Sequence, residues 1–65
     1  MNATILNALQ AERRAHLANI QLLQATLPDL EADNAARAHR TIKRLTVQVR
    51  YIESRIQHSK ERAAC

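Results

Sequence analysis

Residues recur along the first half of the chain at alternating steps of three and four, and this spacing constrains the fold more than any other feature. The positions that share it are Leu6, Leu9, Arg13, His16, Ile20, Leu23, Leu27 and Leu30. Such a heptad repeat places its members on one side of an α-helix and is typical of a helix that packs against another helix. The first half is therefore predicted to be an amphipathic helix.

The second half carries a heptad repeat of its own, which does not continue the first. Its members are Ala35, Ala38, Ile42, Leu45, Val49, Ile52 and Ile56. The step from the last member of the first repeat to the first member of the second is five residues, so one straight helix cannot place both repeats on the same side. Two helices with a break between them are predicted.

The break is marked by Pro28, which a helix accepts in its first turn but not in its interior. Thr26 and Asp29 have the spacing of a capping box, with Thr26 as the cap. This pattern predicts helix 1 at about 3–25 and helix 2 at about 27–62. A later start at Asp33–Asn34 is the alternative, with a longer loop over 26–33.

The two starting points have different consequences for the end of the second repeat. With the early start, helix 2 extends beyond helix 1 by several turns, and Ile52 and Ile56 need a second chain to cover them. With the late start, the two helices nearly match and the hairpin closes on itself.

The chain has 65 residues, no glycine and one proline. Without glycine, tight β-hairpins and phosphate-binding loops are disfavoured, because both depend on backbone conformations that glycine adopts most easily. A chain this short buries only about 60% of its unfolded surface. We therefore expect a single all-α domain over residues 1–65: a two-helix antiparallel hairpin that dimerises into a four-helix bundle.

The predicted dimer interface combines the apolar members of both repeats with a stripe of small residues on the far side of helix 1. Alanine is also the best helix former and is often exposed. The stripe alone therefore does not show whether these residues contact another helix or face solvent. The polar positions Arg13 and His16 either fix the register of packing or turn outward to water. The interface residues are Leu6, Leu9, Ala11, Ala15, Ala18, Ile20, Leu22, Leu23, Ile42, Leu45, Val49, Ile52 and Ile56.

Charge is distributed unevenly, since residues 1–33 carry a net charge of −2 and residues 34–65 carry +6. The outer side of helix 2 carries most of the excess positive charge, and this asymmetry predicts an acidic partner. The partner could be an acidic protein surface, an anionic membrane, or nucleic acid with Tyr51 stacking on a base. A charge run is also often no more than a solvated face. The candidate binding residues are Arg37, Arg40, Lys43, Arg44, Val47, Arg50 and Tyr51.

No catalytic constellation, metal site or cofactor site is apparent. His16, His39 and His58 are far apart in sequence, and a metal site needs clustered ligands. Cys65 is interpreted as a tolerated terminal residue, with an intermolecular disulfide as the alternative. No apolar stretch is long enough to span a membrane and no signal peptide is recognised, so a cytoplasmic location is expected.

The sequence thus favours a small non-enzymatic regulatory or adaptor protein that homodimerises and binds a partner protein, without a small-molecule substrate. One alternative is a helical nucleic-acid binder that uses the basic side of helix 2. The other is a structural subunit that adds helices to a larger assembly.

Overall fold

The computed structural model describes residues 3–64, with side chains described for residues 3–62. Two α-helices, α1 (Ala3–Thr26) and α2 (Ala32–Ala64), are joined by a short segment that contains a 3-10 turn at Leu27–Asp29. Within the described residues there is no strand. The predicted all-α class is confirmed.

The two helices pack side by side and run antiparallel. Leu9, near the start of α1, lies against Ile56, near the end of α2. Ile20, near the end of α1, lies against Leu45. The described chain measures 51 × 15 × 11 Å along its principal axes, which is the shape of a rod two helices wide. The predicted hairpin is confirmed.

The core between the helices consists of two apolar clusters along this rod. The first joins Leu9 to Ile52 and Ile56, with Leu6 packed against them. The second is formed by Ile20, Leu45 and Val49, flanked by Leu17, Leu23 and Ile42. Both heptad repeats therefore face inward, as the spacing predicted.

An ion pair crosses the hairpin beside the first cluster. Arg13 Nε of α1 donates to Glu53 Oε2 of α2 at 2.9 Å, and both side chains are more than a third exposed. An exposed pair of this kind contributes about 1 kcal/mol or less to stability. Its main consequence is geometric, because it joins one turn of α1 to one turn of α2 and so favours a single register.

The prediction that helix 2 begins near residue 27 is wrong, since α2 begins at Ala32. Pro28 is instead the second residue of the 3-10 turn, and Leu30 is extended, with φ −93° and ψ 145°. This conformation interrupts the helical path, so α-helical hydrogen bonding resumes only where the Ala35 amide donates to the Glu31 carbonyl at 2.8 Å. The alternative predicted start, at Asp33–Asn34, is closer to the observed start at Ala32.

Thr26 does not cap the following segment, contrary to the predicted capping box. Its backbone is helical, and it makes no side-chain cap hydrogen bond. Its hydroxyl donates back to the carbonyls of Leu22 and Leu23, each at 3.0 Å. Thr26 therefore ends α1, and its side chain is engaged by the turn before it.

The position of the turn decides how the far end of α2 is covered. Because α2 begins late, the first turns of α1 reach the last turns of α2, and Leu6 and Leu9 cover Ile52 and Ile56. Ile52 is only 4% exposed within the single chain. The second repeat is thus covered to Ile56 without a second chain.

Candidate docking surface

The side of α2 that faces away from α1 is the candidate docking surface, and we call it the basic face. It lies opposite the buried repeat because its members fall between those positions on the helix. All of its side chains are exposed, as the sequence predicted. They are Arg37, Arg40, Lys43, Arg44, Val47, Arg50 and Tyr51.

The positive charges of the basic face are not compensated within the hairpin. No acidic residue occurs between positions 34 and 52. Among the residues that the structure describes, none of the five cations of this face takes part in an ion pair. The cations extend over about 20 Å of helix at ~1.5 Å per residue. Such a surface attracts a polyanion or an acidic protein over a distance set by the ionic strength.

Two large apolar side chains lie among these cations. Val47 is 59% exposed and Tyr51, one turn later, is 64% exposed. The Arg55 guanidinium carbon lies 5.8 Å from the centre of the Tyr51 ring, which is within the range of a cation–π contact. The basic face therefore has an apolar centre surrounded by charged groups.

The basic face continues further along α2 than the predicted residues do. Arg55 lies four residues after Tyr51, and Arg62 lies seven residues after Arg55. Both are exposed on the same side of the helix as Tyr51. They were not among the predicted binding residues. They lie about one and three turns beyond Tyr51, so following the same side of the helix further along the chain could have identified them.

The residues predicted to form the dimer interface are divided by the structure into two groups. One group lies in or against the core of the single hairpin and is therefore occupied by contacts within the chain: Leu6, Leu9, Ile20, Leu23, Ile42, Leu45, Val49, Ile52 and Ile56. The other group is exposed on the far side of α1: Ala11, Ala15, Ala18 and Leu22. Only this second group is free to contact another molecule while the hairpin stays closed.

The exposed group belongs to a continuous uncharged stripe along α1, which we call the alanine face. Leu22 is its largest member and is 63% exposed. Leu17, by contrast, packs against the core cluster around Ile20 and does not contribute to this face. The full stripe is formed by Ala8, Ala11, Ala15, Ala18, Leu22 and Ala25.

The two polar positions of the first repeat have different surroundings. Arg13 makes the cross-helix ion pair with Glu53. His16 Nε2 lies 3.7 Å from Glu12 Oε1 on the same helix, and its side chain is 22% exposed. Arg13 therefore supports the register interpretation, whereas His16 makes only a local contact.

Residues 3–64 contain no group of three or more side chains suited to holding a metal ion. Neither α1 nor α2, over the residues described, is long and apolar enough to cross a membrane. Cys65 lies outside the described residues, so neither interpretation of it is tested.

Compared with protein-family models, curated proteins and solved structures, the chain shows no match in any of the three.

Proposed function

We propose that this chain is a small non-enzymatic adaptor that homodimerises and binds an acidic partner protein through the basic face of α2. The observation that carries the proposal is the exposed apolar pair Val47 and Tyr51 at the centre of an uncompensated cationic surface. The partner is expected to present apolar side chains opposite this pair and carboxylates around them.

The composition of this surface supports a protein partner. Protein interfaces have an apolar centre and a polar rim, and their energetically dominant residues are enriched in tyrosine and arginine. Tyr51 supplies a large contact area with few rotatable bonds, and Arg55 lies against its ring. Binding through phosphates alone would require the cations but would leave Val47 without a role.

The hairpin presents this surface in a fixed arrangement. The opposite side of α2 is held by Leu45, Val49 and Ile52, which are buried against α1. The basic face thus does not need to fold on binding, and the entropy cost of association is lower than for a disordered segment.

The alanine face supports the proposed homodimer. Small side chains allow two helix backbones to approach closely, and Leu22 supplies an apolar contact near one end. Two hairpins joined along α1 would leave both α2 helices on the outside. The dimer would then display two basic faces on opposite sides, and a partner with two acidic sites could bind both with increased avidity.

Leu22→Glu is expected to convert the dimer into a monomer, because it replaces the largest apolar side chain of the alanine face with a charged one. Sedimentation velocity at micromolar concentration measures the change. Gln21→Glu is the matched control, since it adds a glutamate to the neighbouring exposed position of α1 and should leave the dimer intact. A wild-type chain that sediments as a monomer at this concentration contradicts the dimer.

Capture of the partner from the native host, with and without nuclease, tests the proposed function. We expect one acidic protein to be retained after nuclease treatment and to bind the pure chain directly. Val47→Asp and Tyr51→Asp should each weaken that binding by about 30-fold or more, which corresponds to the ~2 kcal/mol typical of an interface hot spot.

Gln21→Asp on the exposed side of α1 provides the control for the added charge. The contrary outcome is that nuclease abolishes capture by the wild-type chain, while both aspartate variants still bind the material captured without nuclease. In that case the partner is a nucleic acid and the proposal is wrong. Equal weakening by the control would show that only the net charge matters.

A further inference from the structure

A second surface feature lies beyond the predicted binding residues, at the end of the hairpin where α1 begins and α2 ends. It is an open cleft of about 500 Å³. One residue of α1 and four of α2 line it: Ile5, Arg55, His58, Ser59 and Arg62.

The four lining residues from α2 are all able to donate hydrogen bonds. Their spacing of three, four and seven residues places them on one side of the helix, with His58 and Ser59 between the two arginines. Arg55 and Arg62 are about 10 Å apart along the helix axis at ~1.5 Å per residue. The Arg55 guanidinium lies over the Tyr51 ring in the free protein, so it has to turn towards Arg62 for the two guanidinium groups to converge above the histidine and the serine.

Ser59 and His58 are free to contact a ligand. The hydroxyls of Thr26 and Thr46 donate to main-chain carbonyls one turn earlier, at 3.0 and 2.8 Å. Among the described residues the Ser59 hydroxyl makes no such bond, and His58 has no ion pair or hydrogen bond. The cleft therefore offers two charged donors and two further polar groups without internal partners.

Within the part of the chain that the structure describes, no acidic side chain lines this cleft, which distinguishes it from the other cleft of the hairpin. That other cleft, of about 400 Å³, is lined by Glu53, whose carboxylate accepts a hydrogen bond from Arg13. A dianion there would meet a negative charge and compete for an arginine already in use. In the cleft at the end of the hairpin, neither Arg55 nor Arg62 is held in an ion pair with a described residue, although Arg55 contacts the Tyr51 ring.

The helix dipoles contribute little to the net electrostatic potential at this cleft. The positive end of α1 and the negative end of α2 lie at the same end of the antiparallel hairpin, so their fields oppose each other. The side chains therefore decide the sign of the potential, and with Arg55 and Arg62 it is positive.

We propose that this cleft binds a phosphate monoester. Its dianion matches two guanidinium groups, which bind phosphate oxygens in pairs, and its remaining oxygens accept from a hydroxyl and an imidazole. Ile5 provides an apolar wall for the esterified group. The site goes beyond the proposed adaptor function. It shares Arg55 with the surroundings of Tyr51, but neither Val47 nor Tyr51 lines the cleft.

Titration of the full-length, isotope-labelled chain with inorganic phosphate, followed by amide and imidazole NMR signals, tests the proposal. We expect saturable changes at Ile5, His58 and Ser59 with a Kd on the order of 1 mM, as suits a small ion in an open site. Arg55→Gln combined with Arg62→Gln should weaken binding at least tenfold.

The matched control is Arg37→Gln combined with Arg44→Gln, because it removes the same charge at the same seven-residue spacing outside the cleft. It should change the Kd less than twofold. Equal weakening by both pairs would show general attraction to a positive protein, and the proposal would be overturned. Absence of saturable changes in the wild type would overturn it as well.

A second variant keeps the net charge constant. Ser59→Ala combined with His58→Gln should weaken phosphate binding about threefold while circular dichroism shows an unchanged helix content. If this variant binds phosphate as tightly as the wild type, the polar groups do not form the site and the proposal fails.

Two sources of the phosphate monoester are distinguished by parallel titrations with a phosphoserine peptide and a nucleoside monophosphate. The site is supported, and its source is named, if either ester binds at least tenfold more tightly than inorganic phosphate. This binding should be lost in the combined Arg55→Gln and Arg62→Gln variant and kept in the control pair. If neither ester binds as tightly as inorganic phosphate, the cleft excludes esters and the proposal is overturned.

Discussion

Ile52→Ala is expected to destabilise the hairpin more than any other single truncation in α2, and in a domain this small it should abolish the cooperative thermal transition. Ile52 is the least exposed apolar residue of the described chain, at 4%. Truncating a buried isoleucine to alanine costs about 2–5 kcal/mol, from lost burial and from the cavity left behind. Small domains have only a few kcal/mol of stability to lose.

Circular dichroism during heating measures this effect. For a domain of this size each kcal/mol shifts the Tm by about 4–8 °C, so a shift of at least about 10 °C is expected if a transition remains. Val47→Ala is the matched control, because it truncates an exposed β-branched residue of the same helix. It should leave the Tm unchanged or raise it slightly, since alanine is the better helix former. Equal Tm values for the two variants would contradict the packing of Ile52 against α1.

Arg40→Glu combined with Arg44→Glu is expected to weaken binding to the acidic partner at least a hundredfold. The double change replaces two attractions with two repulsions among the charged groups around Val47 and Tyr51, and like charges across an interface cost several kcal/mol. Most of the loss should appear in the association rate, because charge complementarity mainly accelerates encounter. Surface plasmon resonance with the purified partner measures both rates.

Arg14→Glu combined with Lys60→Glu is the control for this prediction. It changes the net charge by the same amount, but both residues line the cleft that contains Glu53, away from the basic face. We expect this control to lower the association rate less than tenfold. Equal loss in both double variants would show that the total charge determines binding and that the basic face has no special role.

Ile52 and the basic face lie on opposite sides of one helix. Packing of Ile52 and its neighbours against α1 keeps α2 helical along its length. The same packing keeps Val47 and Tyr51 at the solvent side with the arginines around them. A variant that loosens the core should therefore weaken partner binding indirectly, with a fall in helix content that the charge variants do not show.

Much of the fold follows from short-range patterns in the sequence. The spacing of Leu9 and Ile20 in one repeat, and of Leu45 and Ile52 in the other, identifies the buried side of each helix, because side-chain direction in an α-helix depends only on residue number. Pro28 identifies the segment where the first helix must end. The basic face follows from the same geometry, as the side opposite the buried repeat.

Other features depend on how the two helices meet. Thr26 has the sequence of a cap, yet its backbone is still helical and its hydroxyl bonds to Leu22 and Leu23. An extended residue at Leu30 then delays α2 to Ala32. That delay sets the register of the hairpin. The register in turn decides that Arg13 meets Glu53.

The sequence by itself determined two amphipathic helices, the break between them and an uncompensated positive surface on the second, because each of these depends on residues near one another in the chain. Only the tertiary structure decided that Leu6 and Leu9 cover Ile52 and Ile56, so that the core closes within one chain. It alone also placed Ile5 beside Arg62 to form the cleft. Contacts between residues more than forty positions apart depend on the register and the turn, which a helical repeat does not specify.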